Sequence, residues 1–203
     1  MAFEVKEHLK PTGLVGISAD QIEQHWGLYK GYVVQTNALE AELDALRKDG
    51  KEGSAAYTDR RRRYGFEYNG MILHEWYFGN LKSGGSEMSA SLKSALESRW
   101  GTLDAWKADF MNTGKSRSIG WAVLYMDPET KSLSNHFIQL HEEGNPATFV
   151  PILVMDVWEH AYMVDFGAAG RPKYIEQFFA NVDFAKASTR FSDVSSGKIP
   201  VRG

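Results

Sequence analysis

The segment Asp156-Val157-Trp158-Glu159-His160-Ala161-Tyr162 sets a carboxylate and an imidazole four residues apart, straight after the apolar run Phe149-Val150-Pro151-Ile152-Leu153-Val154-Met155. An apolar run that ends abruptly in an acid leaves the acid at the edge of a core, where an unpaired charge is costly. A carboxylate and a neutral imidazole suit a first-row transition metal, and a bound cation would remove that cost. Taken alone, Asp-x-x-x-His is a weak pattern, and Asp156 could equally cap a helix.

Among the six histidines, two more keep distinctive company. His25 shares a helix face with Ile22 and Tyr29 and lies one heptad before Tyr32. His74 sits inside Met71-Ile72-Leu73-His74-Glu75-Trp76-Tyr77-Phe78, so one side of it is buried among large apolar groups. A lone histidine in an apolar helix is more often a hydrogen-bonded core residue than a ligand. Only the combination supports a metal. Rival motifs fail on spacing. No Glu-x-x-His occurs, which removes the di-iron bundle pattern. His74-Glu75 is followed by Phe78 and His141-Glu142 by Asn145, so there is no zinc-protease His-Glu-x-x-His. No phosphate-cradling glycine loop and no nucleophile elbow are present.

Composition narrows the class further. The chain has 203 residues, 43% hydrophobic and 13% aromatic, enough for an ample core in one large or two small domains. It contains no cysteine, which excludes disulfides, thiolate metal sites and iron–sulfur clusters. The net charge of −3 gives no global basic field for nucleic acid or an anionic membrane. Arg60-Arg61-Arg62-Arg63 therefore reads as a solvated helix face or turn. The N-terminus lacks an apolar signal core and no run is long enough to span a bilayer, so a soluble cytoplasmic protein without membrane or nucleic-acid partners is expected.

The elements that must position these residues follow from periodicity. Residues 1–17 read as an irregular arm. Ser18-Ala19-Asp20-Gln21 is a capping-box pattern opening a helix from Ala19 to about Arg47. Lys48–Ser54 is a polar turn, and a second helix runs from about Ala55 or Asp59 to Leu81, interrupted or bent near Gly65 and Gly70. Long helix, short turn and long helix predict an antiparallel hairpin. Lys82-Ser83-Gly84-Gly85-Ser86 marks a boundary, dividing 1–84 from 85–203. Beyond it lie short helices over Ser89–Arg99 and Thr102–Met111. Strands follow over Ile119–Met126, Leu133–Leu140 and Val150–Val157. A last helix starts at Arg171-Pro172 and reaches Ala187 or Phe191, before a polar tail, Ser192–Gly203. The fold class is α+β: a helical hairpin, then an α/β domain with a small antiparallel sheet.

These residues resemble the iron/manganese superoxide dismutase family over roughly residues 18–190. Asp156–Tyr162 is similar to the family's C-terminal signature, and Asn69-Gly70-x-x-x-His74-x-x-Tyr77 to its second-helix ligand segment. Tyr32-Val33-x-x-x-Asn37-x-Leu39, Gly120-Trp121-Ala122-Val123-Leu124 and Arg171-Pro172-x-Tyr174-Ile175-x-x-Phe178 resemble three further segments. The resemblance implies a helical hairpin followed by an α/β domain with a three-stranded antiparallel sheet. It implies His25, His74, Asp156 and His160 as ligands of one iron or manganese ion per subunit. Tyr32 then guards substrate access, with Trp121 and Trp158 as an apolar wall. Glu159 would bridge to His160 of a second subunit, with Tyr162 also at that interface, which makes a homodimer or homotetramer the expected assembly.

The chain departs from the family pattern between the first ligand and the gateway tyrosine. Trp26-Gly27-Leu28-Tyr29-Lys30-Gly31 lacks a histidine and is one residue short, with Tyr29 in a histidine's place. Gly70 and His141 occupy the two places from which members supply a glutamine, so His141 is expected to act beside the metal, passing protons with Tyr32. Lys30 and Arg171 are the expected cations for steering superoxide. A metal protein of this fold with little dismutase activity, or with another redox reaction, is the alternative.

Overall fold

The computed structural model describes residues 2–200 of the chain; the end of the polar tail, residues 201–203, lies outside the described residues. Helix α1 spans Ala19–Lys48 and α2 spans Ala55–Phe78. Each starts on a serine cap: Ser18 Oγ accepts from Gln21 N at 3.0 Å and Ser54 Oγ from Tyr57 N at 3.2 Å, satisfying an orphan N–H of each first turn. The helices run antiparallel. Glu42 meets Arg60, Glu40 meets Tyr64, Tyr32 meets Gly70 and His25 meets Phe78.

Helices α3 (Ala90–Trp100) and α4 (Leu103–Gly114) precede strands β1 (Gly120–Met126), β2 (Leu133–Gln139) and β3 (Val150–Asp156). The sheet order is β2-β1-β3, antiparallel throughout. Every residue of β1 is buried. β1 sets Trp121 opposite Asp156 on β3 and opposite Ile138 on β2. Pro151 sits on β3 at a register shift beside Tyr125, as an edge strand permits. A short α5 (Met163–Phe166), then α6 (Arg171–Ala180) and α7 (Phe184–Ser195), close the fold. One continuous apolar cluster joins the hairpin to the sheet, from Trp26 and Phe78 to Trp121 and Phe178.

Two expectations are corrected. Helix α2 is not divided at Gly65 or Gly70 and ends at Phe78, short of Leu81. Gly70 is there for space: a Cβ would lie 2.6 Å from the Tyr32 ring. The final helix is two helices. Asn181, between them, pairs with both backbone groups of Val15 at 2.8 Å, and Asp183 recaps the chain by accepting from Lys186 N. The tail is helical to Ser195 as a result.

Candidate metal centre

Four side chains from three separate stretches converge. His25 comes from α1, His74 from α2 and Asp156 from the end of β3; His160 lies in the 3-10 turn Glu159–Ala161 that follows. Asp156 Oδ2 lies 3.0 Å from His25 Nε2, 3.1 Å from His160 Nε2 and 3.6 Å from His74 Nε2. All four ligand atoms fall within 4.8 Å of one another.

The positioning is local in each case. Asp156 Oδ1 accepts from Trp158 N at 2.8 Å, which turns Oδ2 inward. His74 Nδ1 donates to Gly70 O at 2.6 Å, one turn back on α2. His160 is placed by Gln21, whose Nε2 donates to His160 O at 2.7 Å while its Oε1 accepts from Val164 N at 3.0 Å. Asn80 holds β3 by its free edge, accepting from Val154 N at 3.0 Å and donating to Val154 O at 3.1 Å. Arg190, buried, donates to that same Asn80 and to Ile152 O and Trp76 O. With the Trp76 ring 4.5 Å away, burial pulls the Arg190 guanidinium down to about 9, against the smaller opposing pull of the Asp183 carboxylate.

The charge pattern tests whether an ion fits. Burial drives the pKa of His74 well down and lowers that of His25, so both imidazoles are neutral at pH 7. In neutral His74 the single proton is spent on Gly70 O, so Nε2 carries a lone pair. That lone pair faces a carboxylate oxygen, and Nε2 is buried with no hydrogen-bond partner. Burial would raise the Asp156 carboxyl, but His160 and His25 outweigh it and hold Asp156 ionised. Lone pair against anion is repulsive unless a cation lies between them. Ligand atoms sharing an ion at about 2.1 Å stand roughly 3.0–3.4 Å apart; Asp156 Oδ2 meets that spacing to His25 and His160 at 3.0 and 3.1 Å, and His74 stands slightly wider at 3.6 Å. The residues fit a nitrogen- and oxygen-liganded metal.

Beside the four lies a hydrogen-bonded line. Trp121 Nε1 donates to His141 Nδ1 at 3.0 Å, and His141 Nε2 lies 2.7 Å from Tyr32 Oη. Burial holds His141 down at about 4 and pushes the Tyr32 hydroxyl far up. Indole is a donor only, so neutral His141 must accept at Nδ1 and donate from Nε2 to Tyr32, leaving the Tyr32 proton free for another acceptor. Trp158 stacks on His160 at 5.5 Å and on His141 at 4.8 Å, while Trp121 meets His74 edge-on at 4.9 Å.

The remaining expected residues lie farther out. Glu159 is exposed and Tyr162 is buried against the Tyr174 ring. Both line a cleft of about 480 Å³ with Lys115, Arg117 and Arg171. Arg171 Nη1 donates to Ser116 O and Ser118 O at 2.7 and 2.8 Å. Lys30 is exposed on α1, in the electrostatic reach of Glu23. Tyr29 Oη accepts from Lys6 N and donates to Glu75 Oε1, with its hydroxyl pushed up to about 12, first by burial. Sequence reasoning missed Gln21, which its capping-box position disguised, and Asn80, which carried no signal.

Comparison with known proteins gives a consistent picture. The family model for iron/manganese superoxide dismutases, C-terminal domain, matches residues 88–190. A superoxide dismutase [Fe] of Aquifex pyrophilus is 37% identical over 195 residues, covering 93% of this chain and 91% of that one. The superoxide dismutase [Fe] of Cupriavidus metallidurans is 33% identical over 198 residues, covering 95% and 98%. The superoxide dismutase [Mn] 2 of Haloferax volcanii is 33% identical over 164 residues, covering 80% of each.

Proposed function

The chain belongs to the iron/manganese superoxide dismutase family, and from that premise we propose that His25, His74, Asp156 and His160 hold the one iron or manganese ion on which it converts superoxide to dioxygen and hydrogen peroxide. An iron or manganese ion held by these four residues would supply the one-electron redox chemistry that dismutation needs. The observation that carries the ligand assignment is the lone pair of His74 Nε2 turned on a buried carboxylate oxygen.

The protein does the rest. Asp156 contributes a fixed negative charge that helps set the potential, and Gly70 O fixes the His74 tautomer. Trp121, Trp158 and Phe78 exclude bulk water. Tyr32 releases the proton on Oη toward nascent peroxide, and His141 re-supplies that oxygen from Nε2. Lys30 and Arg171 add positive charge for the incoming anion.

Glu159 and Tyr162 are assigned to the interface of a homodimer or homotetramer, supported by Leu28, Met163 and Val164, each more than 40% exposed. The division into 1–84 and 85–203 is likewise proposed; each part supplies two ligands. No helix among the described residues is long and apolar enough to cross a membrane, and a cytoplasmic location is proposed.

The test is elemental iron and manganese content of the purified protein, with the superoxide decay rate of each reconstituted form. Near one ion per chain and catalytic decay support the reading; metal-loaded protein that does not accelerate decay refutes it. Light scattering on the same sample reads the assembly.

A further inference from the structure

Helix α2 turns one stripe of residues toward the site: Arg63, Glu67, Gly70 and His74, at three- and four-residue steps. The last two already have roles. The first two form an ion pair, with Arg63 Nη2 at 2.6 Å and Nε at 2.8 Å from Glu67 Oε1. The pair is lopsided: the Arg63 side chain is 51% exposed and that of Glu67 only 8%. An anion arriving from solvent therefore meets the guanidinium before the carboxylate.

The other arginines of the run are placed differently. Arg60 pairs with Glu42, Arg61 donates to the Tyr57 hydroxyl, and Arg62 stands 3.7 Å from Asp59. Arg63 alone of the four lies over the Phe66 ring, 4.0 Å from its centroid. Phe66 in turn packs edge-on against His141 at 4.5 Å and lies 6.3 Å from the Tyr32 ring. Those two contacts in series keep the guanidinium within the ~10 Å over which a charge acts at 0.1 M salt. The Arg63 charge acts on both the Tyr32 hydroxyl and the His141 imidazole, and the Glu67 charge opposes it at Tyr32.

We propose that Arg63 is a further steering residue, drawing superoxide to the Tyr32–His141 end of the site, and that Glu67 attenuates its charge. The inference rests on the proposed function, in which Tyr32 marks the route of access. It makes a prediction of sign that a structural ion pair does not. Removing the cation must slow the anion's arrival, and removing the carboxylate must speed it. If the pair only braces α2, losing either partner should do similar harm.

The experiment compares wild type, Arg63→Gln, Arg63→Lys and Glu67→Gln as full-length, metal-loaded proteins of matched metal content. The second-order rate with superoxide is read by pulse radiolysis at low ionic strength and near physiological salt. A unit charge acting through water at this range changes the local anion concentration roughly two- to threefold. Arg63→Gln should lower the low-salt rate by about that factor, Glu67→Gln should raise it by about the same, and Arg63→Lys should stay near wild type. Both changes should shrink as salt is added. The affinity for azide, a small anion that is not turned over, should fall in Arg63→Gln and rise in Glu67→Gln.

Rates and azide affinities that fall together in both variants, that do not move, or that change equally at both salt concentrations overturn the inference. Should Arg63→Gln fail to fold, the direction of the Glu67→Gln change decides alone. A wild type that binds azide but leaves superoxide decay unchanged refutes the proposed function instead, and the azide comparison still judges Arg63.

Discussion

Trp121→Phe isolates one hydrogen bond on which the direction of proton supply depends. Wild-type Trp121 Nε1 donates to His141 Nδ1 at 3.0 Å within a fully buried setting. Indole cannot accept, so this contact forbids a proton on Nδ1 and puts it on Nε2, aimed at Tyr32 Oη 2.7 Å away. Phenylalanine keeps the ring against His74 and His141 but removes the donor. A buried acceptor left without a partner costs about 1–3 kcal/mol. Without the indole nothing excludes the other tautomer: Nδ1 has lost its partner in either form, and in the second Nε2 accepts and Tyr32 must donate to it. The Tyr32 proton is then spent inward.

For a chain of this size each kcal/mol is worth about 2–4 °C, so melting should fall by roughly 3–10 °C with metal content unchanged. Loss of a positioned proton donor costs about 10²–10⁴ in the step it serves, so turnover at high superoxide should drop by at least about tenfold. The rate at low superoxide, set by arrival, should move much less. Stopped-flow decay at both superoxide concentrations, with a solvent isotope effect, makes the comparison. A Trp121→Phe enzyme that melts lower but turns over as wild type does at high superoxide would refute the tautomer argument.

Three further outcomes follow from the geometry. His160→Ala removes the one ligand that is partly exposed, and elemental analysis should find the metal largely lost while far-UV circular dichroism keeps its helical signal; full metal occupancy would sink the ligand assignment. Asn80→Ala orphans both Val154 backbone groups two residues before Asp156, which should cost about 2–4 kcal/mol and speed metal release to a chelator; unchanged melting and release would count against Asn80 as the strut of β3. Burial lowers the pKa of His141 from its ordinary 6.5 to about 4. The unfolded chain therefore binds more protons in that window, and the associated stability is complete above 6.5 and lost as pH falls from 6.5 to 4. That is worth at most about 3 kcal/mol, and His141→Gln should flatten the acid limb of the metal-free protein's melting curve; identical limbs would refute it.

How far the sequence disclosed this arrangement depends on the length scale of each interaction. Asp156 and His160 stand out because an acid closing an apolar run is locally conspicuous. The long helices and three strands were legible from periodicity and turn residues for the same reason. His25 and His74 gained meaning only together, since either alone could have been a core histidine. The Tyr32–His141 contact spans 109 residues, and no local pattern encodes it. Gly70 was ambiguous because glycine in a helix can signal an interruption or a close approach, and the helix continues through it with the Tyr32 ring against it. The break at 181–183 was hidden because Asn181 is fixed by Val15, at the other end of the chain. Gln21 fitted a capping box, yet its side chain reaches His160 O, while Asp165 takes the Ser18 N–H that the box would have used.

Two charges act at different ranges. With His25 and His74 held neutral, the buried Asp156 carboxylate favours a cation among the four ligands. The chain's net charge of −3 opposes an approaching anion at long range. A site of this kind needs local positive charge outside the ligand shell, close enough to act at physiological salt yet too far to compete for the ligands. An arginine held over Phe66, one aromatic ring removed from His141, meets both conditions. On this argument the distance between Arg63 and the Tyr32–His141 pair matters more than the count of basic residues. Moving the positive charge two helical turns toward the hairpin tip, with Arg63→Gln and a substitution of the exposed, neutral Ala56→Arg combined, keeps the net charge at −3 and should therefore leave the low-salt rate as slow as in Arg63→Gln alone. Recovery to the wild-type rate would show that only total charge counts.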